Sequence, residues 1–94
     1  MADLLDDDAV TEALHELPDW TRDGDALVLT AQLPSFPAAI AVVDRVAETA
    51  ETADHHPDID IRWTTITFRV SSHDAGGITD DDLVLARHID TAAG

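Results

Sequence analysis

Apolar residues alternate with other residues over positions 59–70, and this alternation changes phase halfway along the segment. They fall first on odd positions and then on even ones: Ile59, Ile61 and Trp63, then Ile66, Phe68 and Val70. A shift of one residue moves every side chain of a strand to the opposite face, so one regular strand does not fit. The pattern predicts either a bulged strand or, as we prefer, two antiparallel strands joined by a tight turn at Thr64-Thr65.

A second hairpin is predicted earlier in the chain. Asp23-Gly24 separates two strand-like runs, residues 20–22 and 26–33. Asp-Gly favours the two-residue turns that join antiparallel strands. Along the second run Leu27 and Leu29 alternate with Val28 and Thr30, which is typical of a strand with one buried face.

A first and a last helix are predicted from their end signals. The aspartates at residues 6–8 suit the positive end of a helix dipole, and Pro18 ends the helix that follows them. Near the other end of the chain, Thr79 with Asp82 three residues later resembles a capping box. Together with a helix between the hairpins, the predicted order is α-β-β-α-β-β-α.

The helix between the hairpins is predicted to start at Ser35 and to run to about Ala53. Ser35 is a good N-cap, and Pro57 disfavours helical geometry at the residue before it. One apolar stripe recurs at intervals of four and three residues and is expected to pack against a neighbour. This stripe consists of Phe36, Ile40, Val43, Ala47 and Ala50.

The charge of the chain is strongly negative. It has 20 acidic residues and 5 basic ones, all arginine, which gives a formal net charge of −15. Nucleic acid and anionic membranes require positive charge, so we expect neither as a partner. Because the acid is spread along the whole chain, we favour a halophilic protein over an acidic module that binds a basic partner. In molar salt a Debye length of roughly 3 Å screens the self-repulsion.

Length and composition limit the class of protein. The 94 residues are enough for one small domain, 1–94, with a single modest core. The absence of cysteine excludes disulfides, thiolate metal sites and thiol catalysis. No apolar run approaches the roughly 20 residues of a membrane span. The acidic start also lacks the basic residues of a signal peptide, so we expect a cytoplasmic protein.

Three histidines carry the chemical interpretation. His55 and His56 precede the predicted 59–70 hairpin, and His73 follows it, in segments rich in turn residues. The start and the end of an antiparallel hairpin lie side by side, so His73 is expected to return close to His55 and His56. Histidine exchanges protons near neutral pH, which indicates acid–base chemistry. A three-histidine zinc site is an alternative, although adjacent histidines are uncommon ligands of one ion.

The residues around these histidines allow more than one role. Glu51 and Asp54 could orient imidazoles or bind a polar ligand, or could simply form a solvated helix end. Asp82 could act beside His73, although its capping role explains it alone. Trp63 could stack on a planar ligand or pack in the core. His15 and His88 are interpreted as surface residues.

The histidine segments resemble a known family signature. Its pattern is Glu51, three residues, His55-His56-Pro57, five residues, Trp63, nine residues, His73, eight residues and Asp82. This pattern is similar to that of the pterin-4a-carbinolamine dehydratases, and the resemblance extends over about residues 36–90. It implies an α+β fold with a four-stranded antiparallel sheet covered on one face by helices. It also implies a hydro-lyase that converts 4a-hydroxytetrahydropterin to quinonoid dihydropterin without metal or bound cofactor.

The resemblance also implies roles for individual residues. His56 and His73 are expected to carry the proton transfers, and His55 to help in binding or proton exchange. The substrate-binding residues would be Glu51, Asp54, Pro57, Trp63 and Asp82. Two departures from the family pattern concern the pocket: Asp58-Ile59-Asp60 lacks the usual aromatic residue, and Asp81 stands where arginine is common.

Two other functions remain open beside this one. The first is a related pterin enzyme in molybdopterin metabolism, and the second is an inactive pterin-binding or interaction module. Members of the family form dimers or tetramers, so we expect a homodimer or homotetramer. The apolar second helix is a plausible interface between the subunits.

Overall fold

The computed structural model describes residues 3–94, and this part of the chain forms three helices and four strands. The helices are α1 (Asp7–His15), α2 (Phe36–Ala53) and α3 (Asp80–Ala93). The strands are β1 (Trp20–Asp23), β2 (Ala26–Gln32), β3 (Asp58–Arg62) and β4 (Thr65–Val70). The order α-β-β-α-β-β-α confirms the prediction.

The four strands form one antiparallel sheet in the order β1-β2-β4-β3. One face of the sheet is buried and carries Leu27 and Leu29 of β2 opposite Val70 and Phe68 of β4. Its other face carries polar side chains such as Thr30 and is open to solvent. This one-sided burial is the physical reason for the alternation in the sequence.

Each helix begins at the cap that the sequence predicts. Asp6 accepts a hydrogen bond from the Ala9 backbone N–H, and Ser35 accepts one from that of Ala38. Thr79 begins α3 with a full capping box, in which the Asp82 carboxylate accepts from the Thr79 backbone N–H. These bonds satisfy amide groups that have no partner inside the helix.

The turn between β3 and β4 lies one residue earlier than predicted. It consists of Trp63 and Thr64, because β4 already begins at Thr65. Trp63 has a φ of 57° and therefore adopts the left-handed conformation, which is unfavourable for a residue with a Cβ. The tight hairpin is confirmed, but the phase change in the sequence did not identify the turn residues.

The buried face of α2 differs from the predicted stripe. The buried residues of this helix are Ala39, Val42, Val46 and Ala50. Of the predicted stripe only Ala50 is among them, while Phe36 is 48% exposed. Two adjacent sides of α2 are apolar, and the position of α3 and the sheet decides which of them is covered.

Strand β3 forms an edge of the sheet and is exposed along its whole length. Ile59 and Ile61 pair with the buried Phe68 and Ile66 of β4. They nevertheless remain 36% and 39% exposed. The helices therefore leave the β3 side of the sheet uncovered.

Candidate active site

A pocket of about 400 Å³ lies where the end of α2, the end of β4 and the start of α3 meet. It is lined by Asp54, His55, His56, Ser71, Ser72, His73, Asp74, Ala75, Thr79 and Asp81. The three histidines that the sequence singles out thus line one pocket. They come from two segments that are separated by the β3–β4 hairpin.

The hairpin itself brings these two segments together. Asp58 at the start of β3 pairs with Arg69 near the end of β4. The residues just before β3 therefore lie beside those just after β4, as antiparallel pairing requires. Before β3, α2 ends at Ala53 and Asp54 is its C-cap. The left-handed φ of 51° at Asp54 lets the His55 backbone N–H bond to the Ala50 carbonyl.

His55 is held by a buried carboxylate. Its Nε2 lies 2.6 Å from Oδ1 of Asp82, and the two side chains are 19% and 0% exposed. A carboxylate only accepts hydrogen bonds, so Nε2 carries the proton in this contact. When the ring is neutral, Nδ1 is therefore the nitrogen that can accept a proton or a hydrogen bond.

Asp82 receives two further hydrogen bonds on its second oxygen. The backbone N–H of Thr79 lies 2.9 Å from Oδ2, and the Ser72 hydroxyl lies 2.8 Å from it. Asp82 has no exposed surface, so this side chain sits behind His55 and does not line the pocket. Asp82 is therefore positioned to orient the His55 imidazole.

His56 is more accessible and is paired with Glu51 from the last turns of α2. Its Nε2 lies 2.8 Å from Oε1 of Glu51. The two side chains are 58% and 81% exposed. The two adjacent histidines thus have different environments, since one imidazole is held in the protein and the other is open to solvent.

His73 is exposed and belongs to a short loop that is closed on Ser72. The Ser72 backbone N–H bonds to the Gly77 carbonyl at 2.8 Å, and the Ser72 carbonyl accepts from the Gly76 N–H at 2.9 Å. Gly76 has a φ of 79°, a conformation that suits glycine. The loop places His73 in the lining of the pocket.

The other predicted substrate-binding residues are placed differently. Asp54 lines the pocket, while Pro57 lies on a neighbouring depression together with His56 and Ile59. Trp63 is 79% exposed at the β3–β4 turn. That turn is at the far end of β3 from the pocket, about 16 Å away for five strand residues. The structure does not bring Trp63 into this pocket.

Some residues of the site have no catalytic or binding role assigned from the sequence. Ser72 and Thr79 join the hydrogen bonds around Asp82, and Asp74 and Asp81 line the pocket. The capping pair Thr79 and Asp82 was visible in the sequence as a helix start, but its contact with His55 was not. The sequence signal that could have indicated a role for Ser72 is its position next to His73.

The pocket lining is acidic. Asp54, Asp74 and Asp81 contribute carboxylates, and none of the ten lining residues is an arginine. Within residues 3–94, no group of three or more His and acidic side chains is arranged to hold a metal ion. His88 does not line this pocket; it lies on a second depression with Glu48 and Val84, which His55 and Asp81 also border.

Comparison with known proteins identifies the family. The family model described as "Pterin 4 alpha carbinolamine dehydratase" matches residues 3–92. A protein of Nocardia farcinica is 62% identical over 91 residues, which cover 97% of this chain and 96% of the relative. One of Roseiflexus castenholzii is 56% identical over 90 residues, or 96% and 97% of the two chains. The names of both relatives assign them provisionally as pterin-4-alpha-carbinolamine dehydratases.

Solved structures share the fold. The crystal structure of a transcriptional coactivator/pterin dehydratase from Brucella melitensis superposes with a TM-score of 0.94 and 26% identity, covering 98% of this chain and 100% of that one. A pterin dehydratase-like RuBisCO assembly factor of the α-carboxysome has a TM-score of 0.66 at 20% identity, over 80% and 87% of the two chains, and is similar in fold alone. The match over nearly the whole chain and the three-histidine pocket lead to one conclusion: the chain belongs to the pterin 4 alpha carbinolamine dehydratase family.

Proposed function

We propose that this protein is a hydro-lyase that dehydrates a 4a-hydroxytetrahydropterin to the quinonoid dihydropterin. In this reaction the C4a–O bond and the N5–H bond break, and a C4a=N5 double bond forms. The hydroxyl leaves as water after it takes up a proton. The observation that carries the proposal is the convergence of three imidazoles on one pocket, one of them bound to a buried carboxylate.

The reaction needs one group that gives a proton and one that takes a proton. His56 and His73 are suited to these transfers, because both line the pocket and both are exposed to it. Imidazole can serve as either acid or base near neutral pH. His55 is suited to bind the substrate or to exchange protons through Nδ1, since Asp82 holds its Nε2.

The proposed reaction uses no cofactor and no metal. Elimination of water moves an electron pair from N5 to the C4a–N5 bond and leaves the sum of oxidation states unchanged, so no redox group is required. The Nε2 atoms of His55 and His56 are each bound to a carboxylate. Protein side chains that move protons therefore provide what the chemistry needs.

The dehydration rate of 4a-hydroxytetrahydropterin, followed by ultraviolet absorbance with and without protein, tests the proposal. We expect clear acceleration by the wild-type protein. His56→Ala and His73→Ala should each lower turnover by roughly 10²-fold or more, with little change in Tm. His15→Ala and His88→Ala, outside the pocket, are the controls and should leave the rate unchanged.

Two results of this experiment would contradict the proposal. The first is no acceleration by protein that circular dichroism shows to be folded. The second is an equal loss of rate in all four variants that follows their loss of stability. Retained pterin binding without turnover would instead favour the inactive binding module.

The acidic pocket favours this reaction over one on a phosphorylated pterin such as molybdopterin. Arginine and lysine are the side chains that usually bind a phosphate, and the ten lining residues include neither. The lining offers Asp54, Asp74 and Asp81 instead, whose charges repel an anion. Turnover of an uncharged pterin and exclusion of its phosphate ester would separate the two substrates.

We also propose that the protein is a cytoplasmic homo-oligomer that associates through α2. Phe36 on this helix is exposed and Ile40, one turn further on, is half-buried. Ile59 and Ile61 on the β3 edge also leave apolar surface exposed. Exposed apolar surface is characteristic of protein interfaces when it forms one patch. For the cytoplasmic location, the structural support is that residues 3–94 contain no helix long and apolar enough to cross a membrane.

A further inference from the structure

We propose that Ser72 is a positioning residue, which ties the His73 loop to the carboxylate that holds His55. The family resemblance includes Ser72 beside His73 but assigns this serine no role. The inference rests on the proposed function, because it assumes that His55 and His73 act on one substrate. It is carried by the hydrogen bonds of Ser72, whose backbone and side chain bind two different parts of the site.

The side-chain hydrogen bonds of Ser72 have only one consistent direction. Its Oγ lies 2.8 Å from Oδ2 of Asp82 and 2.8 Å from Oγ1 of Thr79. A hydroxyl has one proton, and a carboxylate only accepts, so the Ser72 proton goes to Asp82. The Thr79 hydroxyl must then donate to Ser72, while its oxygen accepts from the Asp81 backbone N–H at 3.2 Å.

The backbone of the same residue closes the His73 loop. Ser72 donates its N–H to the Gly77 carbonyl, and its carbonyl accepts from the N–H groups of Ala75 and Gly76. Each of these bonds joins Ser72 to a residue that follows His73 in the chain, so His73 is the first residue of the loop that they close. A displacement of Ser72 would therefore displace the His73 backbone with it.

The arrangement couples the two sides of the pocket. His55 comes from the α2–β3 junction, and His73 comes from the segment between β4 and α3. Asp82 binds His55 with one oxygen and Ser72 with the other. Through Asp82, Ser72 connects both imidazole-bearing segments. Small errors in such alignment can lower rates by up to about 10²-fold.

The test compares Ser72→Ala with Ser72→Thr, which keeps a hydroxyl. We expect Ser72→Ala to lower kcat by about 10-fold or more while KM changes less, since alignment and not binding is lost. Ser72→Thr should recover most of the rate. In the NMR spectrum of Ser72→Ala, the His55 Nε2–H proton and the His73 amide should both shift relative to wild type.

Ser35→Ala is the matched control, because it also removes a serine hydroxyl bonded near the start of a helix. It should lower Tm without moving kcat or the two NMR signals. The inference is overturned if Ser72→Ala leaves both NMR signals in place, or if its rate loss only follows its loss of folded protein. A wild-type protein without dehydratase activity would refute the proposed function, while the NMR comparison would still decide the role of Ser72.

Discussion

At the scale of single residues, Asp82 combines a structural task with a chemical one. Its Oδ2 closes the capping box of α3, and its Oδ1 binds His55. The residue is fully buried, and all of its hydrogen bonds are made to protein groups. A substitution should therefore affect the stability of the helix start and the orientation of the imidazole at the same time.

Asp82→Asn tests this double role. The amide nitrogen cannot accept, so one donor that now bonds to the carboxylate would lose its partner in a buried place. We expect a loss of about 1–3 kcal/mol in the free energy of unfolding. We also expect a fall in kcat of roughly 10²-fold, because the orientation of His55 is no longer defined. Chemical denaturation and the dehydration assay measure the two effects.

Asp80→Asn is the matched control for Asp82→Asn. Asp80 is exposed in the same first turn of α3. Its loss should weaken only the interaction with the helix dipole, by about 0.3–1 kcal/mol at low salt. Full dehydratase activity of folded Asp82→Asn would show that His55 does not depend on this carboxylate.

The site illustrates how far residue patterns predict chemistry. The convergence of the three histidines is predictable because hairpin geometry follows from local alternation and turn signals. The Asp82–His55 contact was not found, because its partners are 27 positions apart and neither pattern nor spacing indicates which atoms meet. The contact between Glu51 and His56 is easier to predict, because the two residues are five positions apart across a helix end.

At the scale of elements, the β3–β4 hairpin carries strain at its turn. Trp63 occupies the left-handed region although it has a bulky side chain. That conformation costs a residue with a Cβ about 1–2 kcal/mol. The side chain is mostly exposed, so little packing compensates for this cost within the chain.

Trp63→Gly should stabilise the protein. The free energy gained by relief of the strain exceeds the additional entropic cost of folding a glycine. The net gain in the free energy of unfolding is about 0.5–1 kcal/mol. For a chain of this size Tm rises by roughly 4–8 °C for each kcal/mol. Trp63→Ala keeps the Cβ and should give no such gain. Because Trp63 lies outside the pocket, kcat/KM should not change, and a loss in both variants would show that this residue reaches a substrate site.

Helix α2 provides the second element-scale prediction. If its uncovered apolar side forms the subunit interface, Ile40→Asp should place a charge there and shift the protein to the monomer mass in light scattering. Val84→Asp is the control, since Val84 is an apolar residue that is 47% exposed but lies on α3. An unchanged mass of folded Ile40→Asp would exclude this side of α2 as the interface.

At the scale of the whole molecule, the net charge of −15 opposes the compact state. The ion pairs found in residues 3–94 involve few of the carboxylates, and most of the paired side chains are exposed. Long-range repulsion among the others weakens as salt shortens the Debye length from roughly 10 Å at 0.1 M to 3 Å at 1 M. The halophilic interpretation remains a prediction.

Thermal unfolding in increasing KCl tests that prediction. We expect Tm to rise steeply from dilute buffer to about 1 M salt, where screening becomes short-ranged. A variant that combines Asp8→Asn, Glu16→Gln and Asp44→Asn neutralises three exposed carboxylates and should gain less from salt. A Tm that does not depend on KCl would show that self-repulsion contributes little.

The sequence by itself determined the order of elements, both hairpins, the helix caps and the identity of the three histidines. These features depend on local periodicity, cap chemistry and turn residues, which a short segment contains in full. Only the tertiary structure decided which side of α2 is buried, where Trp63 lies, and that Asp82 and Ser72 join the two halves of the pocket. Those outcomes depend on packing and hydrogen bonds between segments that are distant in the chain.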